Sequence, residues 1–140
     1  MTPNDRMSQF YMTIAEQCSG MSRAVRLQVG AVIVKDNNII SFSWNGTPSG
    51  WDNCCEHTLD DGTLVTKPEV LHAERNAIDK LAKGHMSGQG ASIYITHAPC
   101  VECSKSIYMS GIVSVYYRHK YRSDDGIEFL KKCGVKVYQV

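Results

Sequence analysis

One hundred and forty residues with a formal net charge of +1 suffice for one domain with a real core, and exert no global pull on a polyanion or an anionic membrane. No run approaches the roughly eighteen apolar residues of a membrane span, and Met1-Thr2-Pro3-Asn4-Asp5-Arg6 lacks the apolar stretch of a secretion signal. A single cytoplasmic domain spanning residues 1–140 is expected, with cysteines 18, 54, 55, 100, 103 and 133 reduced rather than joined in a disulfide framework.

From about Pro3 to Cys18, Met7, Phe10, Tyr11, Ile14 and Ala15 recur at helical spacing and predict an amphipathic helix. Residues 29–35 are a β-branched run, Asp36-Asn37-Asn38 reads as a turn, and residues 39–44 complete a hairpin. Asn45-Gly46-Thr47-Pro48-Ser49-Gly50 then breaks regular structure and opens a long loop reaching Pro68, a length usually tied to function. Ala73, Ala77, Ile78, Leu81 and Ala82 define a second helix ended by Gly84. Residues 91–96 read as a buried strand, 100–110 as a third helix stopped by Gly111, and 112–117 as another strand. Asp124 or Asp125 caps a fourth helix through Cys133, and residues 135–140 close the chain as a strand. This alternation predicts a three-layer α/β/α sandwich with a mixed five-stranded sheet.

The chemistry is concentrated in His72-Ala73-Glu74 and Pro99-Cys100-Val101-Glu102-Cys103. Cys100 and Cys103, three apart at a helix start, share one face. The positive end of the helix favours thiolate there, and Pro99 suits the approach to a first turn. His72 stands at the threshold of its own helix. One imidazole and two thiolates hold three corners of a zinc tetrahedron and leave the fourth to water, whose pKa falls toward about 7. Glu74 is too near His72 in sequence to join it comfortably as a ligand, yet near enough to serve as general base and then general acid.

On these motifs the chain resembles the zinc-dependent cytidine deaminase superfamily, and within it the deoxycytidylate (dCMP) deaminase branch. The resemblance runs from Val29-Gly30-Ala31-Val32-Ile33-Val34, through Trp44-Asn45-Gly46-Thr47-Pro48-Ser49-Gly50 and the two zinc motifs, to His119-Lys120-Tyr121-Arg122. It implies a cytidine deaminase-like fold that converts dCMP to dUMP and ammonia, with His72, Cys100 and Cys103 as ligands of catalytic Zn2+ and Glu74 as proton shuttle. Asn45 matches an asparagine that approaches the deoxyribose hydroxyl. Ala73 matches a residue whose N–H meets the pyrimidine, and Tyr121 an aromatic that closes over the base. Ser22, Arg23 and Arg26 fall where the family places groups near the 5′-phosphate. Arg122, with Asn45 and Gly46, belongs to segments linked to allosteric response, in which dCTP activates, dTTP inhibits, and Mg2+ can accompany the regulatory triphosphate. The resemblance further implies a homo-oligomer, a hexamer in many members, with neither nucleic acid nor membrane as partner. Where the family commonly reads Gly-Tyr-Asn-Gly, this chain has Ser43-Trp44-Asn45-Gly46. Some members hold a second zinc before His-Ala-Glu, but no matching cysteine precedes Val29, which leaves Cys54, Cys55 and His57 poor ligand candidates.

Other readings stand beside this one. A structural zinc knot is normally closed by four protein ligands, and an evident fourth is missing. A tRNA adenosine deaminase shares both motifs but has to grip a polyanion, for which +1 is a weak balance. A non-catalytic nucleotide-sensing module has no need of Glu74. The cluster Arg118 to Arg122 suits base stacking and phosphate binding, and equally a solvated strand end. His97 lies closest of the remaining histidines to the metal motif, and Trp51 either covers a site or anchors its loop.

Overall fold

The computed structural model describes residues 5–140. Helix α1 (Arg6–Ser19) starts behind Asp5, whose carboxylate accepts the Ser8 N–H at 2.7 Å and so satisfies one otherwise unpaired first-turn donor. The expected start near Pro3 lies outside the described residues. Strands β1 (Gly30–Lys35) and β2 (Asn38–Trp44) form the expected hairpin. Asp36 and Asn37 between them adopt φ of 51° and 60°, the left-handed pair that a two-residue type I′ turn requires.

Strands β3 (Glu56–Thr58) and β4 (Leu64–Thr66) make a separate antiparallel hairpin. This corrects the expectation of an irregular loop from Asn45 to Pro68. Three residues per strand are too few to show hydrophobic alternation. Cys55, 1% exposed, anchors the hairpin by packing with Ala24 and Val70, and the Lys67 N–H donates to its carbonyl at 2.8 Å. Beyond it come α2 (Ala73–Ala82), β5 (Ser92–His97), α3 (Val101–Met109), β6 (Ser114–His119), α4 (Asp125–Lys132) and β7 (Lys136–Gln139).

The main sheet has the order β2-β1-β5-β6-β7. β1 runs antiparallel to both neighbours, whereas β5, β6 and β7 are mutually parallel, joined by α3 and α4 as crossovers. Side chains alternate between faces with period two. Val32, Val34, Tyr94 and Tyr116 meet Tyr11, Met12 and Ala15 of α1 on one face. Ala31, Ile33, Ile93, Ile95 and Val115 meet Ala73, Ala77 and Leu81 of α2, Ile107 of α3 and Leu130 of α4 on the other. This is the three-layer sandwich with its mixed five-stranded sheet. Each fully buried aliphatic among these contributes roughly 1.5–3 kcal/mol. Among the described residues no helix is long and apolar enough to cross a membrane.

Two contacts fix what surrounds the site. At Gly30 any Cβ would strike backbone at the end of α1, so the helix rests directly on the start of β1. At Gly126 a Cβ would strike the Pro99 carbonyl and the Cys100 backbone, so α4 is seated on the turn that carries the cysteines. That turn leaves the carboxyl end of β5, where open α/β sheets place their ligands.

Candidate metal centre and adjoining cavity

His72 and Cys100 occupy equivalent positions in different elements. Each is the extended residue before a helix, with φ −71° and ψ 147° at His72 and φ −71° and ψ 170° at Cys100. The Cys103 N–H donates to Cys100 Sγ at 3.5 Å, a thiol doing the work of a helix cap. His72 Nδ1 lies 3.3 Å from Cys103 Sγ and 3.8 Å from Cys100 Sγ. The three ligand atoms lie within 4.8 Å of one another, the one such group among the described residues. Zn–N near 2.0–2.1 Å and Zn–S near 2.3 Å in a tetrahedron put such atoms about 3.6 Å apart, so the donor set fits zinc in both chemistry and size.

Glu74 is 6% exposed in the first turn of α2. Burial pushes its carboxyl up to about 7, against the opposing pull of its own backbone N–H and of the His72 charge. The thiols divide one proton between them. Hydrogen bonds from Cys103 and His72 hold Cys100 down at about 3, while the bond to Cys100 and burial raise Cys103. The hydrogen bond to Cys100 correspondingly raises His72.

His72, Glu74 and Cys100 open onto a cavity of about 360 Å³, within the range of small-ligand sites. Its walls include Asn45, Ala73, Tyr121, Arg26 and Arg122, with His72, Glu74 and Cys100. Asn45 already ties down the segment before β1. Its Oδ1 accepts the Val29 N–H at 2.9 Å and its Nδ2 donates to the Leu27 carbonyl at 2.8 Å. Arg122 lies over the Tyr121 ring, 5.3 Å from its centroid.

Besides Cys103, which is fully buried, three residues expected at the site lie off the cavity wall. Ser22 is 4% exposed, and its hydroxyl donates to the Asn45 carbonyl at 2.8 Å, so it braces the Asn45 loop from behind. Arg23 is exposed outside the cavity lining. Gly46 exchanges two backbone hydrogen bonds with Leu71, at 3.1 and 2.7 Å, which links its loop to the residue before His72. Cys54 and His57 are exposed, Cys55 serves the hairpin core, and all six cysteines are free. Trp51 is 58% exposed and does not line the cavity.

The cavity also holds residues outside the expected site set. Glu56, buried at 8% exposure, accepts the N–H groups of Val25 and Arg26. Thr66, His97 and Lys120 join it on the wall. His97 Nδ1 pairs with Thr96 Oγ1 at 2.9 Å, and burial followed by the neighbouring His119 lowers its pKa. In the sequence, the proximity of His97 to Pro99-Cys100 and the basic cluster that contains Lys120 point to two of them, and nothing points to Glu56 or Thr66.

Residues 5–119 match the family of the cytidine and deoxycytidylate deaminase zinc-binding region. The chain is 36% identical to ComE operon protein 2 of Bacillus subtilis over 137 residues, covering 95% of this chain and 70% of that protein. It is 30% identical to the deoxycytidylate deaminase of Enterobacteria phage T4 over 168 aligned positions, covering 92% of this chain and 87% of that protein. The dCMP deaminase of the cyanophage S-TIM5, solved in complex with dCMP and dUMP, superposes with a TM-score of 0.91 at 46% identity, covering 100% of this chain and 99% of that one.

Proposed function

The chain belongs to the cytidine and deoxycytidylate deaminase family, and from that premise we propose that it hydrolyses dCMP to dUMP and ammonia. The observation that carries the reading is a cluster of one His and two Cys beside a buried carboxylate, at the wall of a nucleotide-sized cavity. The likeness to an enzyme solved with dCMP and dUMP supports the choice of substrate.

His72, Cys100 and Cys103 would hold zinc, which supplies Lewis acidity and a lowered pKa for a reacting water. Glu74 carries the protons. A carboxyl held at about 7 accepts and releases a proton with nearly equal ease at neutral pH. It takes a proton from the attacking water and delivers it to N3 of the pyrimidine, which makes C4 more electrophilic. It then takes the proton of the new C4 hydroxyl and delivers it to the amino group, which leaves as ammonia while the C4 carbonyl forms. The Ala73 N–H, a first-turn donor with no partner inside its helix, orients the base. Tyr121 covers the base, Asn45 meets the sugar hydroxyl, and Arg26 neutralises the 5′-phosphate. The phosphate contact is remote from C4, and such binding energy can be used to position the reacting atoms.

The finer reading has three further parts. Activation by dCTP with Mg2+ and inhibition by dTTP would act through Arg122 and the loop at Asn45 and Gly46, because Gly46 is bonded to the neighbour of His72. The chain would act as one domain and as a homo-oligomer, as the resemblance to the family implies. Against a tRNA adenosine deaminase stands the charge of +1, and against a mere sensor stands Glu74. Assaying dCMP, dCTP, deoxycytidine and an adenosine-containing RNA hairpin side by side tests the reading. Fastest turnover of dCMP is expected, and preference for the hairpin or inertness toward all four would overturn it.

A further inference from the structure

The β3–β4 hairpin lies outside both zinc motifs, yet it reaches into the cavity at one place. Glu56 and Thr66 are cross-strand partners in its register, and both line the cavity. The Glu56 carboxylate is buried, an unfavourable choice for the wall of an anion-binding cavity unless its lone pairs are occupied. They are occupied by backbone. Oε2 accepts the N–H of Val25 at 2.9 Å and of Arg26 at 3.0 Å. Thr66 Oγ1 accepts from Arg26 Nη1 at 3.0 Å. One cross-strand pair therefore grips Arg26 at both its backbone and its guanidinium. Facing side chains on paired strands stand on one side of the hairpin, which is why two residues ten apart in sequence act on a single arginine. The hairpin is itself fastened by Cys55 against Ala24 and Val70, so the grip is fixed to the segment it holds.

We infer that Glu56 is a positioning residue, with Thr66 as its helper, that presets Arg26 for the substrate's 5′-phosphate; this rests on the dCMP reading above. An arginine fixed beforehand loses less side-chain freedom when phosphate arrives, so the benefit falls on binding of the phosphorylated substrate rather than on the chemistry at C4. Gln at position 56 retains a carbonyl oxygen able to accept both N–H groups, whereas Ala retains nothing.

The test compares wild type with Glu56→Gln, Glu56→Ala and Thr66→Val, reading kcat and KM for dCMP and the competitive inhibition constants of dUMP and deoxyuridine. For Glu56→Ala, KM for dCMP and Ki for dUMP should rise together by about tenfold or more, the scale of losing charge-assisted bonds. The Ki for deoxyuridine should stay within about twofold, and Gln should recover most of the loss. Thr66→Val should weaken dUMP by about threefold and leave deoxyuridine alone. A fall in kcat with KM unmoved, or equal weakening of dUMP and deoxyuridine, overturns the inference. So does an unchanged Ki for dUMP in Thr66→Val should Glu56→Ala fail to fold. Failure of the underlying reading appears separately, as wild-type protein that does not turn over dCMP.

Discussion

At the scale of single residues, Glu74 combines two properties that pull against each other. Its carboxyl is buried at a helix start and held at about 7, well above its ordinary 4.5. A group whose folded value is raised leaves stability intact below pH 4.5, and that stability is lost as pH climbs through about 7. Metal-free protein at pH 8 should therefore become more stable in Glu74→Gln, by up to about 3 kcal/mol, with the gain vanishing below pH 4.5. Urea unfolding at the two pH values measures this directly. The same substitution should cut dCMP turnover at least about a hundredfold while leaving zinc content unchanged by elemental analysis. The residues involved were legible before any coordinates because their chemistry is set by spacing within a few positions. Glu56 was not legible, since its partners lie 30 and 31 residues away and no local pattern marks such a contact.

Among elements, legibility followed length and periodicity. The strands of the main sheet and all four helices announce themselves by runs or spacings that their burial then explains. The β3–β4 hairpin is too short for either signal, and the two side chains it sets on the cavity wall become visible only once cross-strand pairing is known. The seating of α4 on the cysteine turn was equally hidden, because Gly126 reads in sequence as an ordinary helix residue rather than as the point where Pro99 approaches. Gly126→Ala should push α4 away from Pro99 and Cys100. The expected outcome is a Tm lower by roughly 5 °C or more, with zinc below one per chain. Calorimetry and elemental analysis of the same preparation check both, and full zinc occupancy at unchanged Tm would show that the contact does not matter.

In the whole molecule, two helix starts, the carboxyl end of β5 and a cavity meet in a single place. The proposed homo-oligomer predicts that light scattering reports a multiple of the monomer mass, sixfold if the assembly is a hexamer. A monomer at working concentration would remove the oligomer from the account and leave the chemistry standing. The proposed chemistry would depend on the metal. The most direct measurement is dUMP formation from dCMP by one preparation before chelation, after chelation and after zinc is returned, with metal content read at each stage. Activity should follow zinc, present at one ion per chain, lost on chelation and restored on return. Undiminished turnover by protein stripped of metal would contradict the central claim.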